Sequence, residues 1–131
     1  MRFNVDRLDH LVLTVHDVEQ MCSWYQRVLG MDHEEYGTPP RSALKFGGQK
    51  INVRPELTDD WGTALTAIAG SADLCFVTSV GVTDIVAHLD ECGVRVEDGP
   101  VERIGALGRL FSVYCRDPEG NLIEISTYSD E

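Results

Sequence analysis

Residues 9–15 read DHLVLTV and residues 72–78 read ADLCFVT. Laid over one another, they put His10 on Asp73 and Leu11 on Leu74, at an offset of 63 residues that also carries Gly30 onto Gly93. Both stretches are short, aliphatic and alternating, which is the pattern of a strand. Each runs into a helical pattern. In the first, Asp17 is placed to cap, with Gln20 at the capping-box position, and Val18, Met21, Cys22, Tyr25, Val28 and Leu29 form the apolar stripe. Gly30 supplies the left-handed residue past the end. In the second, Thr83 is the expected cap and Ile85, Val86, Leu89 and Cys92 make the stripe before Gly93. That helix starts later than the offset requires, so it is expected to be about a turn shorter.

Working outward, each helix precedes three strand-like pieces: Asp32–Tyr36, Ser42–Phe46 and Gln49–Arg54 after the first, and Val94–Glu97, Leu110–Arg116 and Asn121–Tyr128 after the second. Gly47-Gly48 reads as a tight turn. The chain is thus expected to be α+β, with two βαβββ modules in tandem forming a curved mixed sheet. Module one covers about residues 6–54, a linker rich in Asp, Thr, Ala and Gly covers 55–71, and module two covers about 72–128 of one 131-residue domain. Halves this small are expected to pack as a unit.

The stretch RDPEGNLIEIS, residues 116–126, holds a turn at Asp117-Pro118-Glu119-Gly120 and then a strand. Alternation puts Ile123 and Ile125 on one face and Leu122, Glu124 and Ser126 on the other. Matching Gly48 to Gly120 places Ile51 on Ile123, Val53 on Ile125 and Asn52 on Glu124. The duplication therefore sets two polar pairs, His10 with Asp73 and Asn52 with Glu124, into otherwise apolar strands. An imidazole, two carboxylates and an amide oxygen on rigid strands suit a divalent cation. An enclosed carboxylate needs a partner, a proton or a metal.

The composition excludes several classes. Twenty-two acidic against eleven basic residues give a net charge of −11, without the basic footprint of a nucleic-acid binder. No apolar run suits a membrane span or a secretory signal, and Cys22, Cys75, Cys92 and Cys115 are scattered without a C-x-x-C pair. A cytoplasmic setting with reduced thiols is the expectation.

The paired modules, LDHLVLTV, GSADLCF and DPEGNLIEIS together resemble the vicinal oxygen chelate superfamily, the group of glyoxalase I, bleomycin- and fosfomycin-resistance proteins and extradiol dioxygenases. The resemblance covers roughly residues 6–128. It is closest to the subgroup of glyoxalase domain-containing protein 5 and bacterial lactoylglutathione-lyase-like virulence proteins, which share GPVER-G-A-G before a DP-GN-IEIS ending. It implies metal ligands on the first and last strand of each module, which assigns that role to His10 and Glu124. Asp73 stands where many members have histidine, Asn52 where glyoxalase I has a second glutamate, and Arg54 where close relatives often have histidine. The expected ligand set is His10, Asp73 and Glu124, around manganese, nickel, magnesium, zinc or iron.

The expected function is a glyoxalase-like metal-dependent lyase or isomerase on a small oxygenated substrate, with Glu124 as the catalytic base. Asn52, Arg54, Tyr114 and Arg109 are candidate substrate contacts. Arg54 reads first as an exposed strand end or an ion-pair partner of Asp73 or Glu124, and otherwise as a clamp for an anionic substrate. Cys75 shares the face of Asp73, and RIGALGR at 103–109 reads as a mobile loop. Trp24 and Trp61 read as packing or interface residues. The alternatives are a ring-cleaving dioxygenase, for which Asp73 spoils the set of two histidines and one carboxylate, and a metal-free drug-sequestering protein of the bleomycin-resistance kind. Uncovered sheet edges and the habit of the family imply a homodimer.

Overall fold

Strand β1 (His10–Val15) leads into helix α1 (Val18–Leu29), and strands β2 (Asp32–Tyr36), β3 (Arg41–Phe46) and β4 (Gln49–Pro55) complete the first module. The second repeats it as β5 (Asp73–Val77), α2 (Val82–Glu91), β6 (Asp98–Gly105), β7 (Gly108–Arg116) and β8 (Leu122–Thr127). This is a computed structural model, and it describes residues 1–56 and 62–129, so Trp61 lies outside the described residues. The chain divides into two compact units, Met1–Ile68 and Ala69–Glu131.

Each unit carries a four-stranded mixed sheet, ordered β1-β4-β3-β2 in the first and β5-β8-β7-β6 in the second. The strand that opens a module pairs in parallel with the strand that closes it, and the remaining pairs are antiparallel. In the first unit α1 packs its apolar stripe on one sheet face, and Met21, Tyr25, Leu44, Ile51 and Val15 are fully buried. In the second, Ile85 and Leu89 of α2 are buried with Val113, Cys115, Ile123 and Ile125. Trp24 is buried too and packs edge-on to Tyr25 with ring centroids 5.0 Å apart.

The caps differ between the helices. Asp17 accepts a bond from the Gln20 amide and Gly30 closes α1 at φ 67°. The second helix begins at Val82 with Gly81 as its N-cap and no side-chain bond there, so Thr83 lies inside the first turn. It is two residues shorter than α1, at 10 against 12.

Two further expectations are corrected. The segment Val94–Glu97 is not a strand; β6 begins at Asp98, which pairs with Tyr114, and after a register shift at Gly99 and Pro100 the pairing resumes at Val101 and runs to Gly105. Proline is tolerated there because β6 is the sheet edge. A Cβ on Gly99 would collide with the Ser112 carbonyl, so glycine is required where β6 crosses β7. The RIGALGR segment is also no open loop. Ile104 pairs with Arg109 and Gly105 with Gly108, which makes it a tight hairpin.

Candidate functional site

On the first sheet, the parallel register pairs His10 with Lys50, Val12 with Asn52 and Thr14 with Arg54. These six residues share the face away from α1, because strand side chains alternate. Asn52 and Arg54 are 8% and 2% exposed. Arg54 Nη1 donates to Thr14 Oγ1 at 3.4 Å. The Asn52 Oδ1 atom is buried with no hydrogen-bond partner among the described residues. Its register neighbours explain why: Val12 on one side and Ala43 on the other offer no donor.

His10 is exposed, and its Nδ1 lies 2.8 Å from Asp9 Oδ1. An ionised carboxylate can only accept, so Nδ1 carries a proton, and in the neutral ring this leaves the lone pair on Nε2. That bond holds the Asp9 carboxyl below its ordinary range. Carboxylate-oriented imidazoles of this kind are typical of metal ligands.

On the second sheet, Glu124 sits in register between Cys75 of β5 and Tyr114 of β7, and Ser126 sits opposite Ser112. Asp73 and Cys75 are exposed, Glu124 and Tyr114 half-buried, and both serines fully buried. The Ser112 hydroxyl donates to Glu124 Oε2 at 2.6 Å, and Ser126 donates to the same oxygen at 3.2 Å. The two serine oxygens are 2.7 Å apart, and the Cys75 thiol stands 3.3 Å from Ser126. Burial raises the Cys75 thiol; the Ser126 bond opposes this and the Glu124 charge reinforces it. Tyr114 is likewise raised by burial, against the bond from Arg103 and with the Glu124 charge. Arg103 Nε donates to the Tyr114 hydroxyl at 3.1 Å. Thiol and phenol thus remain protonated at neutral pH and stand as donors.

The DPEGN turn explains how this face is positioned. Asp117, 4% exposed, accepts from the Glu119 and Asn121 amides at 3.0 Å each and from Asn121 Nδ2 at 2.7 Å. Asn121 Oδ1 then accepts from the Ala72 amide at 2.9 Å, which ties the start of β5, and so Asp73, to the start of β8. A Cβ on Gly70 would come within 2.7 Å of the Glu119 carbonyl, so the incoming chain passes the turn only as glycine. The motif is a structural clamp beside the site.

The structure groups the candidate residues by unit: His10, Asn52 and Arg54 on one face of the first sheet, and Asp73, Glu124 and Tyr114 on one face of the second. Arg109 is corrected. It alternates with Leu110 and so lies on the opposite face from Tyr114, with its guanidinium 5.9 Å from the Phe111 ring and 3.5 Å from Glu102. The reading of Arg54 as an exposed strand end is excluded by its burial. Among the described residues no group of three or more His, Cys, Asp and Glu side chains is gathered closely enough to hold a metal ion. Each unit by itself carries groups of a type that divalent cations accept: an oriented imidazole and an amide oxygen left without a donor on the first sheet, and a carboxylate bonded by neutral hydroxyls on the second. Asp9, Arg103, Ser112 and Ser126 are the participants that the sequence reading did not single out. For Ser126 the signal was present, since alternation already placed it on the Glu124 face.

A two-module fold of this kind, with polar residues on the opening and closing strands, defines a class. The chain belongs to the glyoxalase/bleomycin resistance protein/dioxygenase superfamily, whose model matches residues 7–125. It is 46% identical over 124 residues to virulence protein STM3117 of Salmonella typhimurium, covering 95% of this chain and 85% of that one. It is 45% identical over 129 residues to the glyoxalase domain-containing protein RDO1 of Mycosarcoma maydis, covering 98% and 72%. Its fold matches that of integron cassette protein VCH_CASS1 from the mobile metagenome of V. cholerae with a TM-score of 0.95 at 45% identity, covering 98% of this chain and all of that one. No helix among the described residues is long and apolar enough to cross a membrane.

Proposed function

We propose that this protein is a glyoxalase-like, metal-dependent lyase or isomerase acting on a small oxygenated substrate. The observation that carries the reading is Glu124, a half-buried carboxylate bonded by the hydroxyls of Ser112 and Ser126. Hydroxyls orient a carboxylate without neutralising it, so the charge is kept for a cation. His10 through Nε2, Asp73 and Glu124 would hold that cation. A divalent ion held there would supply Lewis acidity toward substrate oxygens. Glu124 is the base: it accepts a proton from a carbon beside a carbonyl and returns it to the neighbouring carbon. Tyr114, kept protonated, donates to a substrate oxygen, and the Asn52 amide orients the substrate. The proposal includes a homodimer, because each sheet ends on its opening strand and edge strands call for a cover.

The test is metal analysis of protein purified without chelator, followed by turnover assays on hydroxyketones and hemithioacetals with and without added metal. Stoichiometric metal and metal-dependent proton exchange at the carbon beside the carbonyl are expected. A metal-free, inactive protein that binds cationic drugs tightly would replace this reading with the sequestering one. Sedimentation equilibrium tests the dimer, which a monomer mass at tens of micromolar would refute.

A further inference from the structure

We infer that Ser112 and Ser126 are positioning residues that commit one oxygen of Glu124, Oε2, and leave Oε1 as the oxygen that meets metal or substrate. The inference rests on the role proposed for Glu124 and adds which atom performs it. Both serines are fully buried on strands β7 and β8, so neither hydroxyl can turn to water for a partner. Their bonds are therefore made within the sheet or not at all.

Counting protons sets the direction of the chain. A carboxylate only accepts, so the 2.6 Å contact is Ser112 donating to Oε2, at the short length of a charge-assisted bond. With its one proton spent, Ser112 Oγ accepts at 2.7 Å from Ser126, whose proton it shares with Oε2 at 3.2 Å. The Cys75 thiol stands 3.3 Å from Ser126 Oγ at the outer end of this row. Both hydroxyl protons point toward the carboxylate, and one donor polarises the next. The backbone of Ser112 is fixed as well, since Gly99 crosses so closely that no side chain fits between them. The GPVER stretch therefore seats β6 against the residue that holds Glu124. A glutamate held this way binds through a single oxygen and loses little rotamer freedom when its ligand arrives.

The decisive experiment uses difference infrared spectroscopy on metal-free protein, with Glu124→Gln identifying the Glu124 carboxylate band. Ser112→Ala is expected to shift that band, and Ser112→Thr, which keeps the hydroxyl, to restore it. Ser126→Ala, expected to give a smaller shift, stands in if the threonine does not fold, with thermal melts as the control. In manganese titrations Ser112→Ala should weaken binding by about 10–100-fold, the usual cost of losing an outer-shell partner, and should cost nothing further in the Glu124→Gln background. An unshifted band in both alanine variants overturns the positioning role. If Glu124→Gln binds manganese as tightly as wild type, the metal reading falls, while a band shift would still uphold the hydroxyl chain.

Discussion

Asn52 and Glu124 occupy the same place in two copies of one module, and their surroundings are opposite. Asn52 lies between Val12 and Ala43, is buried, and has an acceptor without a donor. Glu124 lies between Cys75 and Tyr114, with Ser112 and Ser126 beneath it and both hydroxyls aimed at its carboxylate. The strand order is shared, and so is the register of the three strands that meet at each position, so the difference here lies in the neighbours. A sheet position carries charge only where flanking residues supply donors, and duplication alone does not provide them.

The most severe way to test that contrast is to force symmetry. Asn52→Glu places a carboxylate where neither cross-strand neighbour offers a donor and is expected to cost about 1–3 kcal/mol, the scale of an under-bonded buried group, eased by the Arg54 cation on the same face. Ala43→Ser in the same background should recover part of this by adding one hydroxyl. Urea denaturation measures both, and an Asn52→Glu variant as stable as wild type would break the comparison.

The turns preceding the two closing strands differ in the same way. Gly47-Gly48 joins β3 to β4 with backbone alone, with φ of 49° and 76°. Asp117 and Asn121 join β7 to β8 through buried side-chain bonds that also hold Ala72. Asp117→Ala is therefore expected to cost about 2–4 kcal/mol, since it strands several donors that bonded a charged acceptor. A loss under 1 kcal/mol, in the same urea measurement, would show that this turn holds as the glycine turn does.

How much of this was legible in the sequence depends on the period of each signal. The 63-residue offset, the two apolar stripes and the alternation around Ile51 and Ile123 depend on backbone geometry and were readable, so the βαβββ repeat followed directly. The start of β6 was misread because Gly99 and Pro100 look like turn residues. Both are accommodated by the edge position and by the close crossing at Ser112, which only tertiary structure reveals. Arg109 was misjudged for a related reason. Read as part of a loop, it had no defined face; once the hairpin gave it one, alternation turned it away from Tyr114. Glu124 could be picked out by its place in an apolar run, but its support could not. Serines in strands are common, and nothing in their spacing tells that their protons converge on one oxygen.

The smallest effect expected is at high pH. Burial, then the charges of Asp117 and Glu97, push the Cys115 thiol up to about 11. The unfolded thiol ionises near 9.0, so between these values the unfolded state has lost a proton that the folded state keeps, and stability falls as pH rises. Below pH 9 the contribution is fully present. Cys115→Val should flatten part of the decline in Tm between pH 9 and 11 and leave Tm near pH 7 little changed. An identical decline in the variant would assign it to other groups.

The central claim is that the second module's closing strand supplies a charged ligand, and calorimetric titration with manganese, nickel and zinc tests it most directly. Wild type, Glu124→Gln and His10→Ala are compared, with thermal melts run beside them. Glutamine keeps the shape of Glu124 and can still accept from Ser112, so the account predicts that both variants fold and that both lose metal binding. Binding in Glu124→Gln as tight as in wild type, or a lowered Tm with metal affinity unchanged, would contradict it and make Glu124 a structural residue.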